Sequence, residues 1–270
     1  MMKVLAFDID GTLTNSRKEI TPATKAAIRR AAELGCKIVI ASGRPPQGVR
    51  RYVKELDLEE LGGYVLCMNG GKIISCADGR VLRDCLIPEE YNAEIIELAA
   101  AEDVHILTYE GDNILSETPE DPYLEIEARI NGLGVKPVES LLDYVSFPVN
   151  KYLMLGDGDR LAEVEKRVWE LLHERLDVYR SEPFFLEILP KGINKADALE
   201  TLLQEVGANR EELMAFGDGF NDLTMIRYAG IGVAMGNAVE VVKEAADVIV
   251  PTNDEDGIVT ALERYVFSET

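Results

Sequence analysis

The chain has 270 residues, 47% hydrophobic and 29% charged, a soluble globular composition long enough for one large domain or two of ordinary size. Its 28 basic and 49 acidic side chains leave a net charge of −21, which repels nucleic-acid phosphates and anionic lipid, and no basic run longer than Arg29-Arg30 or Arg50-Arg51 offsets it. No window approaches the ~18–20 apolar residues of a membrane span, and four cysteines (Cys36, Cys67, Cys76, Cys85) without a C-x-x-C pair, beside two histidines, exclude a usual zinc site and read as reduced thiols.

The opening Met-Met-Lys-Val-Leu-Ala-Phe-Asp is too short an apolar run for a signal-peptide core, so a cytoplasmic protein is expected. Val4 to Phe7 reads as a strand, Thr21 to Gly35 as a helix, Lys37 to Ala41 as a strand, Pro45 to Leu56 as a helix and Tyr64 to Met68 as a strand. The first helix has Thr21 as its N-cap, Pro22 at its first position, Gly35 just past its end, and Ile28, Ala31, Ala32 and Leu34 on its inner side. This βαβα rhythm predicts a parallel sheet with helices on both faces. Lys72 to Ser75 and Arg80 to Cys85, joined across Ala77-Asp78-Gly79, then read as a hairpin.

From Pro88 to Glu187 the pattern changes, with helices expected near Glu89 to Ala101, Pro122 to Asn131 and Asp159 to Arg175, and strands near His105 to Tyr109 and Tyr152 to Leu155. The β/α rhythm resumes at Phe185 to Leu189, Ala196 to Val206, Leu213 to Phe216, Asp222 to Tyr228, Gly232 to Met235 and Val248 to Val250. An α/β core of residues 1–86 and 188–270, interrupted by a second α/β domain over 87–187, is therefore expected. Hinges are expected near residues 84–88 and 186–190.

The chemistry-bearing residues fall at successive strand ends, the edge where open α/β sheets bind ligands. Asp8 and Asp10 in Phe7-Asp8-Ile9-Asp10-Gly11-Thr12 are two positions apart and so can approach one point, with Gly11 and Thr12 exposing backbone N–H groups around it. A second acidic pair, Asp218 and Asp222 in Gly217-Asp218-Gly219-Phe220-Asn221-Asp222, again follows an apolar strand. Hard oxygen ligands from two strand ends, without His or Cys, suit Mg²⁺, with Asp218 as ligand and Asp222 and Asn221 as supports. Ser42-Gly43-Arg44 at the third strand end reads as a phosphate seat. Lys195, at a helix start, can point an ammonium at the same edge.

These motifs, Asp8-Ile-Asp-Gly-Thr, Ser42, Lys195 and Gly217-Asp-Gly-x-Asn-Asp in this order, resemble the haloacid dehalogenase superfamily, specifically its Cof-type (subfamily IIB) phosphatases with a large inserted α/β cap. The resemblance implies a Rossmann-like core, a cap that selects the substrate, a Mg²⁺ cofactor and hydrolysis of small phosphate esters, sugar phosphates foremost. Ala196 stands where that branch usually has Gly, which leaves Lys191 as a second candidate for the role of Lys195.

In this reading Asp8 attacks phosphorus to give an aspartyl-phosphate, and Asp10 protonates the leaving alkoxide and then deprotonates the hydrolytic water. Mg²⁺ is held by Asp8, the Asp10 backbone carbonyl and Asp218. Ser42, Lys195 and the N–H groups of Gly11, Thr12 and Gly43 hold the phosphoryl oxygens, with Arg44 offsetting the acidic cluster. A carboxylate at position 10 disfavours dehalogenation, which has no alcohol to protonate. A phosphosugar mutase of the same fold is the nearest alternative, and a phospho-acceptor signalling module, at about half this length, a more distant one. In the inserted domain Tyr109, Asp112, Asn113, Asn150 and Lys151 are the polar candidates for reading the substrate, while His105 and His173 read as structural.

Overall fold

The computed structural model describes residues 2–268. Strand β1 (Val4–Phe7) is followed by helix α1 (Pro22–Glu33), β2 (Lys37–Ala41), α2 (Pro46–Glu55), the single turn α3 (Leu58–Leu61), β3 (Tyr64–Cys67), β4 (Lys72–Ser75) and β5 (Val81–Asp84). Thr21 caps α1 by accepting from the Thr24 N–H at 3.1 Å, and Pro22 sits at the first turn, where no N–H is needed. Ile28 and Ala31 are buried on the inner face of α1, Ala32 is half-buried, and Leu34 is 41% exposed. The expectation for Leu34 fails because it occupies the C-cap, where the chain leaves the helical path and its side chain no longer follows the apolar stripe.

The next segment forms a separate unit, Asp84–Ile193. It contains α4 (Asn92–Ala101), β6 (His105–Glu110), β7 (Asn113–Ser116), α5 (Pro122–Asn131), β8 (Gly134–Pro137), α6 (Leu141–Tyr144), β9 (Tyr152–Leu155), α7 (Gly158–Leu172), β10 (Leu176–Glu182) and β11 (Phe185–Pro190). Its six strands lie in the order β10-β11-β9-β6-β7-β8 and pair antiparallel except for β7 with β8. Period-two alternation divides the side chains between two faces. Ile106, Tyr152, Met154, Leu186 and Ile188 pack with α4 and α7, whereas Leu107, Leu153, Leu155 and Phe185 pack with Leu124 of α5.

Strand β11, expected to begin the return to the first sheet, pairs with β9 and β10 instead. Its seven-residue partner β10, with buried Leu176 and Val178 alternating with Asp177 and Tyr179, holds it in the second sheet. The chain therefore re-enters the first unit, Met1–Arg83 with Asn194–Thr270, at Asn194.

There it forms α8 (Lys195–Val206), β12 (Leu213–Gly217), α9 (Leu223–Tyr228), β13 (Ile231–Ala234), α10 (Glu240–Ala245), β14 (Val248–Ile249) and α11 (Gly257–Leu262). The completed sheet has the order β14-β13-β12-β1-β2-β3-β4-β5, parallel through β3, with β4 antiparallel to it. Central β1 is buried on both faces, which is why its sequence is a continuous apolar run. Leu5 and Phe7 pack towards α1, α2 and α11, and Phe7 stacks on Phe216 of β12 at 4.7 Å. Val4 and Ala6 face Leu199, Leu202 and Leu203 of α8. Each fully buried Leu, Ile or Phe contributes about 1.5–3 kcal/mol, so this two-faced core fixes the strand ends that carry the polar residues. Among the described residues no helix is long and apolar enough to cross a membrane.

Candidate active site

The carboxyl ends of β1 and β12 lie side by side in parallel register, Phe7 opposite Phe216, so the residues that follow them meet at one edge. Asp8, Asp218 and Asp222 offer oxygens within 4.8 Å of one another. Lys195, the first residue of α8 and fully buried, donates to Asp8 Oδ1 at 2.7 Å and Asp222 Oδ1 at 2.6 Å. Asn194 caps that helix by accepting from the Asp197 N–H, which fixes where the lysine starts. Asp222 Oδ2 accepts from the backbone N–H groups of Asp218 and Gly219, each at 2.9 Å. Both Asp222 oxygens are thus engaged, and it braces the loop that presents Asp218.

Gly11 has φ +88°, and a Cβ there would lie 2.3 Å from Asp218 Oδ2. Thr12 beside it donates its hydroxyl to Asp218 Oδ1 at 2.7 Å. The Gly-Thr pair therefore admits and holds Asp218. The N–H groups of Gly11, Thr12 and Gly43 donate to no backbone carbonyl among the described residues. Ser42 is buried, and its hydroxyl accepts from the Arg44 N–H at 3.2 Å, which leaves its own proton to donate.

The Asp10 carboxylate is not part of the group formed by Asp8, Asp218 and Asp222, since β1 ends at Phe7 and Asp10 lies in a turn bridged to Thr14. The Asp10 carboxylate is held instead by Arg44, through Nε and Nη2 at 2.9 Å each, and by Lys18 at 2.9 Å. Arg44 therefore pairs with Asp10. Asn221 is exposed and donates to Asn69 Oδ1 at 3.2 Å. Lys191 lies in the second unit, paired with Asp177 at 3.1 Å, so Lys195 is the lysine that reaches Asp8.

Charge follows the geometry. Three carboxylates face one ammonium, an arrangement short of positive charge. Burial, with the Asp222 charge beside it, pushes Asp8 up to about 8 despite Lys195. Burial likewise pushes Asp218 up to about 6. Burial opposes the Lys195 charge, but Asp222 and Asp8 outweigh it and raise the ammonium above its ordinary value. Burial also opposes ionisation of Asp10, yet Arg44 and Lys18 prevail and hold it below the usual carboxylate range. A hard, all-oxygen donor set with excess negative charge fits a divalent cation such as Mg²⁺.

Sequence reading missed three residues at this edge. Lys18 has φ +61° in the loop after β1 and reaches back to Asp10. Asn69 follows Met68 and precedes Gly70, three consecutive positive φ values after β3, where a Cβ on Gly70 would lie 2.6 Å from the Asn194 carbonyl. The Asn-Gly-Gly run after an apolar strand was the available signal. Asn237 donates to the Gly11 carbonyl at 2.8 Å and accepts from the Asn253 N–H.

Within the second unit, Tyr109 and Lys151 belong to one buried polar group. Tyr109 donates to Glu127 Oε1 at 2.7 Å, and Lys151 pairs with Glu187 at 3.3 Å, with both charged partners buried. Glu127 and Glu187 had no sequence signal, since a lone acid in an α-helix or a strand reads as surface. Asn150 donates to Asp84 at 2.7 Å, and Asn113 starts β7 just after Asp112. His105 pairs with Asp121, the N-cap of α5, and His173 stacks on Trp169 at 4.0 Å.

A family model described as haloacid dehalogenase-like hydrolase matches residues 5–262. A haloacid dehalogenase-like hydrolase from Bacteroides thetaiotaomicron superposes with a TM-score of 0.93 at 44% identity, over 98% of this chain and 99% of that one. The HAD subclass IIB sugar phosphatase BT4131 superposes with a TM-score of 0.81 at 29% identity, over 98% and 99%. The 5-amino-6-(5-phospho-D-ribitylamino)uracil phosphatase YcsE of Bacillus subtilis is 31% identical, over 98% of this chain and 96% of its own length. With these similarities added to the acidic strand ends and the inserted α/β unit, the chain belongs to the haloacid dehalogenase-like hydrolases, in their Cof-type, subclass IIB branch, and is a phosphatase.

Proposed function

We propose that the protein hydrolyses small phosphate monoesters, sugar phosphates foremost, through an aspartyl-phosphate on Asp8, with Mg²⁺ as cofactor. The observation that carries this reading is the buried Asp8 carboxylate, oriented by Lys195 and flanked by Asp218 and Asp222. Asp8, Asp218 and the Asp10 backbone carbonyl would hold Mg²⁺, with Asp222 bracing the Asp218 loop. When bound, Mg²⁺ supplies neutralisation of the phosphoryl charge.

The chain's own residues account for the remaining chemistry. An Asp8 carboxylate oxygen bonds to phosphorus as the phosphorus–oxygen bond to the leaving group breaks. The proton for the departing alkoxide comes from the protonated form of Asp10, a form that Arg44 and Lys18 disfavour in the free protein. Water then attacks the aspartyl-phosphate, and Asp10, again a carboxylate, takes its proton. Ser42, Lys195 and the N–H groups of Gly11, Thr12 and Gly43 stabilise the phosphoryl oxygens, and Asn221 supports the same loop. We assign the choice of ester to the inserted unit, where Tyr109, Asp112, Asn113, Asn150 and Lys151 are the polar candidates. A cytoplasmic location agrees with four free thiols, of which burial pushes that of Cys76 up to about 12.

The test is phosphate release from a panel of sugar phosphates, nucleotides and cofactor phosphates, with Mg²⁺ or EDTA, for the wild type and Asp8→Asn. Turnover of one or more sugar phosphates that needs Mg²⁺ and is lost in Asp8→Asn is expected. Turnover that survives EDTA or Asp8→Asn contradicts the reading.

A further inference from the structure

Arg44 follows β2 and turns its guanidinium to the Asp10 carboxylate. Its guanidinium makes two parallel bonds to the Asp10 carboxylate, Nε to Oδ2 and Nη2 to Oδ1, at 2.9 Å each. The backbone that carries it is fixed on both sides, because its N–H donates to Ser42 Oγ at 3.2 Å and its carbonyl accepts from Met68 at 3.0 Å. Its side chain is 17% exposed, with the guanidinium carbon 6.0 Å from the centroid of the Tyr52 ring. A two-point guanidinium fork fixes the plane of a carboxylate, which a single ammonium such as Lys18 does not.

We infer that Arg44 is a positioning residue that aims the Asp10 carboxyl at the leaving-group oxygen, and that it does not hold the phosphoryl group. The inference rests on the proposed reading, in which Asp10 hands its proton to the departing alkoxide. Without the fork, rotation of the Asp10 side chain is released and proton delivery loses its geometry.

The two roles separate by leaving group. An alkyl phosphate needs a proton on its departing oxygen, whereas p-nitrophenyl phosphate releases a phenolate that is stable near neutral pH. Because kcat/KM reports only steps up to ester cleavage, the comparison isolates the acid step. Arg44→Met is expected to lower kcat/KM for the alkyl ester by about tenfold or more beyond its effect on the aryl ester. In an Asp10→Asn background the same substitution should change alkyl kcat/KM by less than about twofold.

Equal losses on both esters, no loss on either, or an undiminished loss in the Asp10→Asn background would overturn the proposal. If Arg44→Met does not fold, Arg44→Lys keeps the charge, removes the fork and is read in the same way. Failure of the underlying reading has its own signature, which is Asp8→Asn protein that still cleaves either ester.

Discussion

Lys195 Nζ lies 2.7 Å from Asp8 Oδ1 across 187 positions of sequence, with the lysine fully buried. Breaking a buried charge network by removing one member costs about 3–5 kcal/mol, because the partners remain buried and unpaired. Lys195→Met should therefore lower the melting temperature of the metal-free protein by several degrees. It should also cut phosphate release by about 10²-fold or more, as loss of a preorganised charge at a transferring phosphoryl group does. Thermal melting and steady-state kinetics check both.

The raised carboxyls at the cluster make stability and metal binding depend on pH. Asp8 at about 8 and Asp218 at about 6 hold protons that the unfolded chain releases near its ordinary carboxylate value of 3.8. Their contribution to the metal-free protein is thus greatest at low pH and declines as pH rises through 6 and then 8. A divalent cation competes with these protons, so its affinity should rise over the same window and its binding should release protons. Titration calorimetry of Mg²⁺ in buffers of different ionisation enthalpy measures that release. An Mg²⁺ affinity that stays level between pH 6 and 8 would contradict the charge assignment.

Gly11 and Gly35 separate backbone strain from site geometry. Both have positive φ, +88° and +97°, but a Cβ on Gly35 meets nothing within 4 Å, whereas one on Gly11 would lie 2.3 Å from Asp218 Oδ2. Alanine should cost about 1–2 kcal/mol at either position through the left-handed backbone. Only Gly11→Ala should also weaken Mg²⁺ binding, by displacing Asp218. Urea unfolding and Mg²⁺ titration of the two variants make the comparison.

In the second unit, Glu187→Ala would leave the Lys151 ammonium buried with its nearest carboxylate gone, at a cost of about 3–5 kcal/mol. The double substitution Lys151→Met with Glu187→Leu removes both charges and should recover most of that loss. Urea unfolding of the single and double variants decides it. A double variant no more stable than Glu187→Ala would mean that the pair is held by more than its own charges.

The first sheet was legible because its central strands are continuous apolar runs and α1 carries an explicit cap in Thr21. The second sheet was only half legible. Strands β7 and β8 are four residues each, and the Gly134 and Pro137 that bound β8 read as turn residues. Strand β11 looked like a core strand because apolar alternation does not say which sheet a strand joins. At the active edge, the residue types and strand ends pointed to Asp8, Asp218, Asp222 and Lys195, which the structure brings together. The partner of Asp10 was not readable, since direction after a strand end depends on turn geometry that spacing alone does not encode. Asn69 and Asn237 were missed for a related reason, as each meets a loop far away in sequence, Asn69 through the Asn221 side chain and Asn237 through the Gly11 carbonyl.

The central claim is a covalent phosphoryl group on Asp8, and rapid chemical quench with a ³²P-labelled sugar phosphate that the protein turns over tests it most directly. The account predicts label on the protein within the first turnover in Mg²⁺, released by hydroxylamine as an acyl phosphate is, and mapped to the peptide that carries Asp8. Turnover without labelled protein, or label mapped to Ser42, Thr12 or another residue, would contradict it.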